Sequence, residues 1–385
     1  MLKKILSNTI VRLILAVLIG LLVGLAVNES VLKAVMIVKQ ITGQIIFFLV
    51  PLIILGFVAP SIARLKSNAS KVLLFAFSIA YLSSVGAATF GAVVGYELIP
   101  HLHIQTASEG LKDIPPMLFN LEIPPVMSVM SALVLAVMLG LSTAWVKSEE
   151  MERLLEVFQN MVLKLVERVL MPVLPLFIAA NFCVLSYEGA ITKQLPIFLS
   201  VLLIVIICHY IWLTLLYVVA SIYSRKNSWG VLKYYGPAYL TALGTALTCA
   251  KKSKILREEV IDVTVPLFAN IHLCGSILTE VFFVLTVSQI LYGSMPDFTT
   301  MFVFIILLGF FAIGAPGVPG GTVLASLGLI IAILGFDEAG TALLLTIFAL
   351  QDSFGTACNV TGDGALTLIT DTFDQGQTGK ASTAL

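Results

Sequence analysis

Apolar residues run through this chain in stretches long enough to cross a bilayer, separated by short polar punctuation. Runs of spanning length occur at Ile10–Val27, Val31–Ala63, Val72–Leu98, Met127–Val146, Leu155–Leu185 and Leu195–Ile222. Each predicts a membrane helix. The second carries Lys33, Lys39 and Gln44 in its first half, so it is expected to tilt or protrude. Gly86, Gly91 and Gly95 in the third predict close helix packing. The polar, Pro-bearing segment Pro100–Pro125 is the longest loop of the first half. Lys3, Lys4 and Arg12 stand before or near the start of the first run, as in a signal peptide. No small-x-small cleavage site follows and more spans do, so a retained first helix is expected.

From Trp229 onward the apolar segments are interrupted at mid-length: Thr241–Thr248, Ala269–Ser276, Ala312–Gly321 and Asn359–Asp363. Non-helical backbone at membrane depth is tolerated only where it lines a cavity or is buried in protein. Paired interrupted segments point to a transporter binding site. The order reads as one unit used twice, a re-entrant hairpin followed by a spanning helix. The expected fold is therefore an all-α membrane protein with eight transmembrane helices and two re-entrant helical hairpins. Positive-inside bookkeeping agrees. With the N-terminus inside, the inner segments collect Lys3, Lys4, Arg12, Arg64, Lys66, Lys71, Arg225, Lys226, Lys251, Lys252 and Arg257, among others. The outer connections Asn28–Ser30, Ser294–Asp297 and Asp337–Glu338 hold no Lys or Arg. A multi-pass protein of the plasma (inner) membrane with both termini cytoplasmic is expected.

Composition narrows the class. The 385 residues are 59% hydrophobic and 11% charged, against about 25% charged in a soluble domain. A formal net charge of +0 offers no field for nucleic acid. Cys183, Cys208, Cys249, Cys274 and Cys358 lie in apolar surroundings without C-x-x-C spacing and read as buried small residues. His272, Cys274 and Cys358 lack the usual spacing of a zinc site.

The candidate chemistry is concentrated near the C-terminus. In QDSFGTACNVTGD, the residues Asp352, Thr356, Asn359 and Asp363 fall at i, i+4, i+7 and i+11. At 100° per residue they share an arc of roughly 60° on one helix face. Two carboxylates on one stripe of an apolar protein are expected to face a cavity or pathway. Glu280 lies mid-span, eight residues after His272 and about 80° round a helix from it. Two roles are open for Glu280: a proton carrier, or the partner of a polar scaffold residue.

GAPGVPGG followed by QDSFGTACNVTGD resembles the second hairpin tip and last helix of the dicarboxylate/amino acid:cation symporter family, which includes the glutamate transporters. The resemblance implies an elevator-type sodium symporter with inverted repeats, working as a homotrimer. It implies scaffold and trimer contacts mainly within 1–225, with the third and sixth helices joining a transport core at 226–371, and a cytoplasmic tail at 372–385. It assigns Asp352 to a substrate ammonium, Thr356 and Asn359 to substrate, and Asp363 and the Asn359 carbonyl to sodium. Backbone carbonyls from Phe268 through Asn270 to His272 complete that cation site. The hairpin tips contribute Thr245, Val318 and Gly320 to substrate, and Ala312, Ile313 and Ala315 to a cation. Tyr81, Ser83 and Ser84 resemble the family's hydroxyl cluster at a sodium site.

Three departures modify these expectations. Gly355 stands where acidic amino acid carriers of the family have arginine, so a small neutral amino acid is expected as substrate. The family's NMDGT signature reads HLCGS here, His272 to Ser276. Cys274 therefore replaces a hard carboxylate ligand with a thiol, and His272 replaces an asparagine with a group that titrates near neutral pH. A proton-coupled carrier and a dicarboxylate carrier of the same fold stay open. A passive channel is disfavoured by the hairpin tips, which argue for alternating access. An intramembrane aspartic protease would need its carboxyls about 3 Å apart. Asp352 and Asp363 on one helix stand about 16 Å apart along its axis.

Overall fold

The computed structural model describes residues 9–63, 71–102, 115–116, 121–241, 249–313, 315 and 321–382, and is helical with no strand among them. The first half forms α1 (Thr9–Ala26), α2 (Glu29–Ala63), α3 (Lys71–Leu98), α4 (Val129–Val146), α5 (Glu149–Leu165), α6 (Met171–Glu188) and α7 (Ala190–Ser224). The second half adds α8 (Trp229–Thr241), α9 (Glu258–Ile271), α10 (Cys274–Tyr292), α11 (Phe298–Ile313), α12 (Gly321–Leu334) and α13 (Glu338–Ser382). All six runs expected from the apolar pattern are helices. A five-residue π segment, Val166–Leu170, joins α5 to α6.

Among the described residues, five helices have the length and composition to cross a membrane: α2, α3, the α5–α6 rod, α7 and the α9–α10 pair. A sixth is α13, whose segments Ala339–Phe348 and Gln351–Gly376 meet at 60°. The apolar helices α1 and α4, of 18 residues each, are shorter and lie at the low end of the ~17–25 residues a span takes. The arms α11 and α12, of 16 and 14 residues, fall short of the ~20 residues a span needs, and they pack on each other. Two short apolar arms packed on each other are consistent with the expected second hairpin. Its tip, with Val318 and Gly320, lies outside the described residues, as does the first tip with Thr245.

Two of the expected interruptions are present among the described residues. One separates α9 from α10 at His272 and Leu273, which have non-helical dihedrals. The other falls between α11 and α12, where Ala315 is the described residue and is non-helical. The interruption expected at Asn359–Asp363 is absent, because α13 runs through it without a break. Poor helix formers are accommodated there by tertiary partners, and Thr361 also bonds back to the Ala357 carbonyl at 2.8 Å. The break at His272 likewise removes the helical relation between His272 and Glu280, since helix arithmetic does not cross non-helical backbone.

Local chemistry explains several ends. Ser128 and Ser148 accept backbone N–H groups at 3.1 and 3.2 Å and cap α4 and α5. Glu149, Glu150 and Glu152 follow in the first turn of α5, where the helix dipole favours acids. Gly293 ends α10 with φ 74°, a left-handed value that glycine adopts without strain.

The helices pack as two groups. In one, α2 and α6 gather α1, α4 and α5; in the other, α10 and α13 gather α3, α7, α8, α9 and the α11–α12 hairpin. The groups meet where α12 leans on α2 and α4, where α11 touches α2, where α6 touches α7, and where α13 touches α1 and α6. The α9–α10 pair is the most enclosed span, with 94% of its most apolar stretch buried. Gly91 allows α3 to approach it closely: a Cβ there would lie 2.9 Å from the Leu278 carbonyl oxygen. Gly86 and Gly95 are similarly tight, against Trp212 and Leu285. At one end of the second group the buried Asp371 of α13 is gripped by Arg257 Nε at 2.6 Å and Lys226 Nζ at 3.0 Å. Those three residues tie the end of α13 to the segments before α8 and α9. All five cysteines are reduced and buried.

Candidate functional site

The break between α9 and α10 faces the polar stripe of α13. Because α13 is continuous over these residues, Asp352, Thr356, Asn359 and Asp363 do share a face, and Asp352 and Asp363 cannot meet as a dyad. Asp352, Asn359 and Asp363 are buried and Thr356 is half-buried.

Asn359 is committed to another helix. Its Oδ1 accepts the backbone N–H groups of Gly275 at 2.8 Å and Ser276 at 3.2 Å, and its Nδ2 donates to the Ser276 hydroxyl at 2.9 Å. These N–H groups belong to the first turn of α10, where donors have no partner within the helix. Leu273 at the cap position has no side-chain acceptor. An asparagine from α13 therefore does the work of an N-cap residue.

Asp363 and His272 touch. His272 Nδ1 lies 2.8 Å from Asp363 Oδ1, and its Nε2 lies 2.9 Å from the Ser83 hydroxyl. With Asp363 ionised, Nδ1–H donates to it and Nε2 accepts from Ser83. The three side chains are 1% (Asp363), 0% (His272) and 7% (Ser83) exposed, so the chain of bonds is sealed from solvent. Glycine makes room for it, since a Cβ at Gly362 would come 3.0 Å from His272 Cε1 and 3.3 Å from Cys274 Sγ. The atom order is that of a serine hydrolase. Ser83, however, lies mid-helix, where N–H groups are bonded along the helix and none is left to hold an oxyanion.

The other expected positions are distributed around this core. Gly355 packs on α10, where an added Cβ would meet Ser276 Cα and Oγ at 3.2 Å. The Phe268 carbonyl accepts His272 N–H at 2.8 Å. Asn270 is exposed and donates its amide to the Pro266 carbonyl at 2.7 Å. Beside the second tip, Ala312 accepts from Ala315 N–H at 3.2 Å, and Ile313 and Ala315 are half-buried. Tyr81 bonds the Ile306 carbonyl at 3.1 Å, pinning α3 to the hairpin, whereas the Ser84 hydroxyl has no partner. Among the described residues no group of three or more His, Cys, Asp or Glu is placed to hold a metal ion.

Two polar residues here escaped the sequence reading. His209 of α7 is buried, with Nε2 3.0 Å from the Gly275 carbonyl and 3.0 Å from Thr279 Oγ1. Gln351, beside Asp352, is also buried. An amide or imidazole inside an apolar run is itself the signal that could have found both.

A family model described as the sodium:dicarboxylate symporter family matches residues 9–373. No curated protein matches the chain.

Proposed function

The chain belongs to the sodium:dicarboxylate symporter family, a family of membrane carriers rather than enzymes, and from that membership and the geometry of α13 we infer that it moves a small neutral amino acid into the cell with sodium. The observation that carries this reading is the buried acid-and-amide stripe of α13, set against the only break in the α9–α10 span. In this reading Asp352 takes the substrate ammonium, and Thr356 and Asn359 lie along the rest of the substrate. Gly355 brings no guanidinium for a second carboxylate, which supports a neutral side chain. Sodium binds at Asp363 with backbone carbonyls of the α9 end. Its charge offsets the cost of an ionised buried carboxylate.

Coupling follows from differential binding. A half-loaded core leaves unpaired charge against apolar helices, so only the fully loaded core crosses readily. Support for an elevator comes from the two helix groups and the α11–α12 hairpin between them. The homotrimer, the cytoplasmic termini and the inner-membrane location belong to the same proposal.

A second reading has its own observation. The His272 ring occupies Asp363 Oδ1 at 2.8 Å, in the place the first reading gives to sodium. Coupling at that point then runs on a proton held between His272 and Asp363. Uptake into proteoliposomes separates the two. An imposed sodium gradient drives accumulation of small neutral amino acids in the first reading, and an imposed pH gradient without sodium drives it in the second. Asp363→Asn abolishes uptake in both. No concentrative uptake of any amino acid or dicarboxylate under either gradient defeats the carrier assignment proposed here.

A further inference from the structure

A second polar cluster is shared by α10, α12 and α13. Glu280 and Gln351 are each 0% exposed. Glu280 Oε1 accepts the hydroxyl of Ser326, which lies on α12, the return arm of the hairpin. Glu280 Oε2 and both amide atoms of Gln351 have no hydrogen-bond partner.

Helix register places Gln351 and Glu280 at one level along the two helices. Asn359 bonds Gly275 and Ser276, and Gly355 packs on Ser276. Going backward along α13 is therefore going forward along α10. One further turn, about 6 Å on each axis, sets Gln351 level with Glu280. On their own helices Glu280 lies about 40° from Ser276 and Gln351 about 40° from Gly355, so both stay on the facing sides.

Orphaned polar atoms at this depth are costly. An unpartnered buried amide loses its hydration with nothing in return, and an unpaired carboxylate loses far more. Glu280 Oε2, Gln351 Oε1 and Ser326 Oγ are three hard oxygen donors, one from each of α10, α13 and α12. Oxygen donors with one carboxylate suit a small, hard cation. We propose that Glu280, Ser326 and Gln351 form a second binding site for a sodium-sized monovalent cation. Occupancy there ties the hairpin arm α12 to α10 and α13. The inference rests on the cation-coupled reading only in that monovalent cations must reach the core.

The test uses the purified full chain in detergent, with melting temperature followed against sodium, lithium or potassium and choline holding ionic strength constant. Wild type melts higher in sodium. Gln351→Met removes the orphaned amide and keeps the volume. Its melting temperature without sodium is equal to or above wild type, and its apparent sodium affinity is lower by about tenfold. Ser326→Ala lowers the affinity in the same direction, and Asp363→Asn leaves a sodium-dependent shift in place. A Gln351→Met protein that melts lower without sodium, or that keeps wild-type sodium affinity, overturns the site while leaving cation coupling intact. So does a wild-type response to pH, lost in Glu280→Gln, with no response to sodium, since Glu280 then holds only a proton. A chain indifferent to every cation and to pH defeats the site and the coupled reading together.

Discussion

At the scale of single residues, Asn359 shows how a polar side chain in an apolar helix can be structural and functional at once. Its amide is the cap that α10 lacks, so Asn359→Leu leaves the Gly275 and Ser276 N–H groups without acceptors. Each buried orphan costs about 1–3 kcal/mol, and a lowered denaturation midpoint in detergent is the expected reading. Asn359→Asp keeps an acceptor for both N–H groups and is expected to fall between Leu and wild type. The stripe that holds this residue was legible from spacing alone, because helix periodicity is local. Its partner was not, because a cap supplied by another helix leaves no mark near the helix that it caps. The same holds for Ser83 and His272, which meet only after α3 and α9 have packed.

At the scale of helices, close approach and capping decide the architecture. Gly91→Leu forces side-chain atoms against the Leu278 backbone, and overpacking of this kind costs about 1–3 kcal/mol. Gly376→Ala, with nothing within 4 Å of the new Cβ, is the matched control and leaves the melt unchanged or slightly raised. The start of α11 is held by Asp297, whose Oδ1 accepts Thr299 N–H at 2.9 Å and whose Oδ2 accepts the Thr300 hydroxyl at 2.6 Å. The Thr300 hydroxyl holds its carboxyl below the ordinary value of 3.8. A depressed carboxylate contributes stability that is complete above the unfolded value and is lost as pH falls through the folded one. Amide protection in the first turn of α11, taken against the intrinsic exchange rate at each pH, is therefore expected to fall in acid below about pH 4, and in Asp297→Ala above it. Helix positions were readable because apolar runs of this length have few other fates. The continuity of α13 through Asn359–Asp363 was not, since side-chain bonds to α10 override weak local propensity.

At the scale of the molecule, the two helix groups define what moves if the elevator proposal holds. Val146 on α4 and Ile222 on α7 are each 74% exposed and belong to different groups. Leu82 on α3, 65% exposed, shares a group with Ile222. Spin labels at 146 and 222 are expected to report a distance that changes with the coupling cation and substrate. Labels at 82 and 222 are expected to report one fixed distance under all conditions. If both pairs stay fixed, the groups move as one body and a gate confined to the hairpin replaces the elevator.

The five enclosed thiols have a practical consequence. A folded molecule offers maleimides nothing to react with, so a single introduced surface cysteine can be labelled without first stripping the native ones. The same silence makes alkylation a clock. Any burst of native-thiol labelling on warming or in denaturant marks the moment at which the helices part.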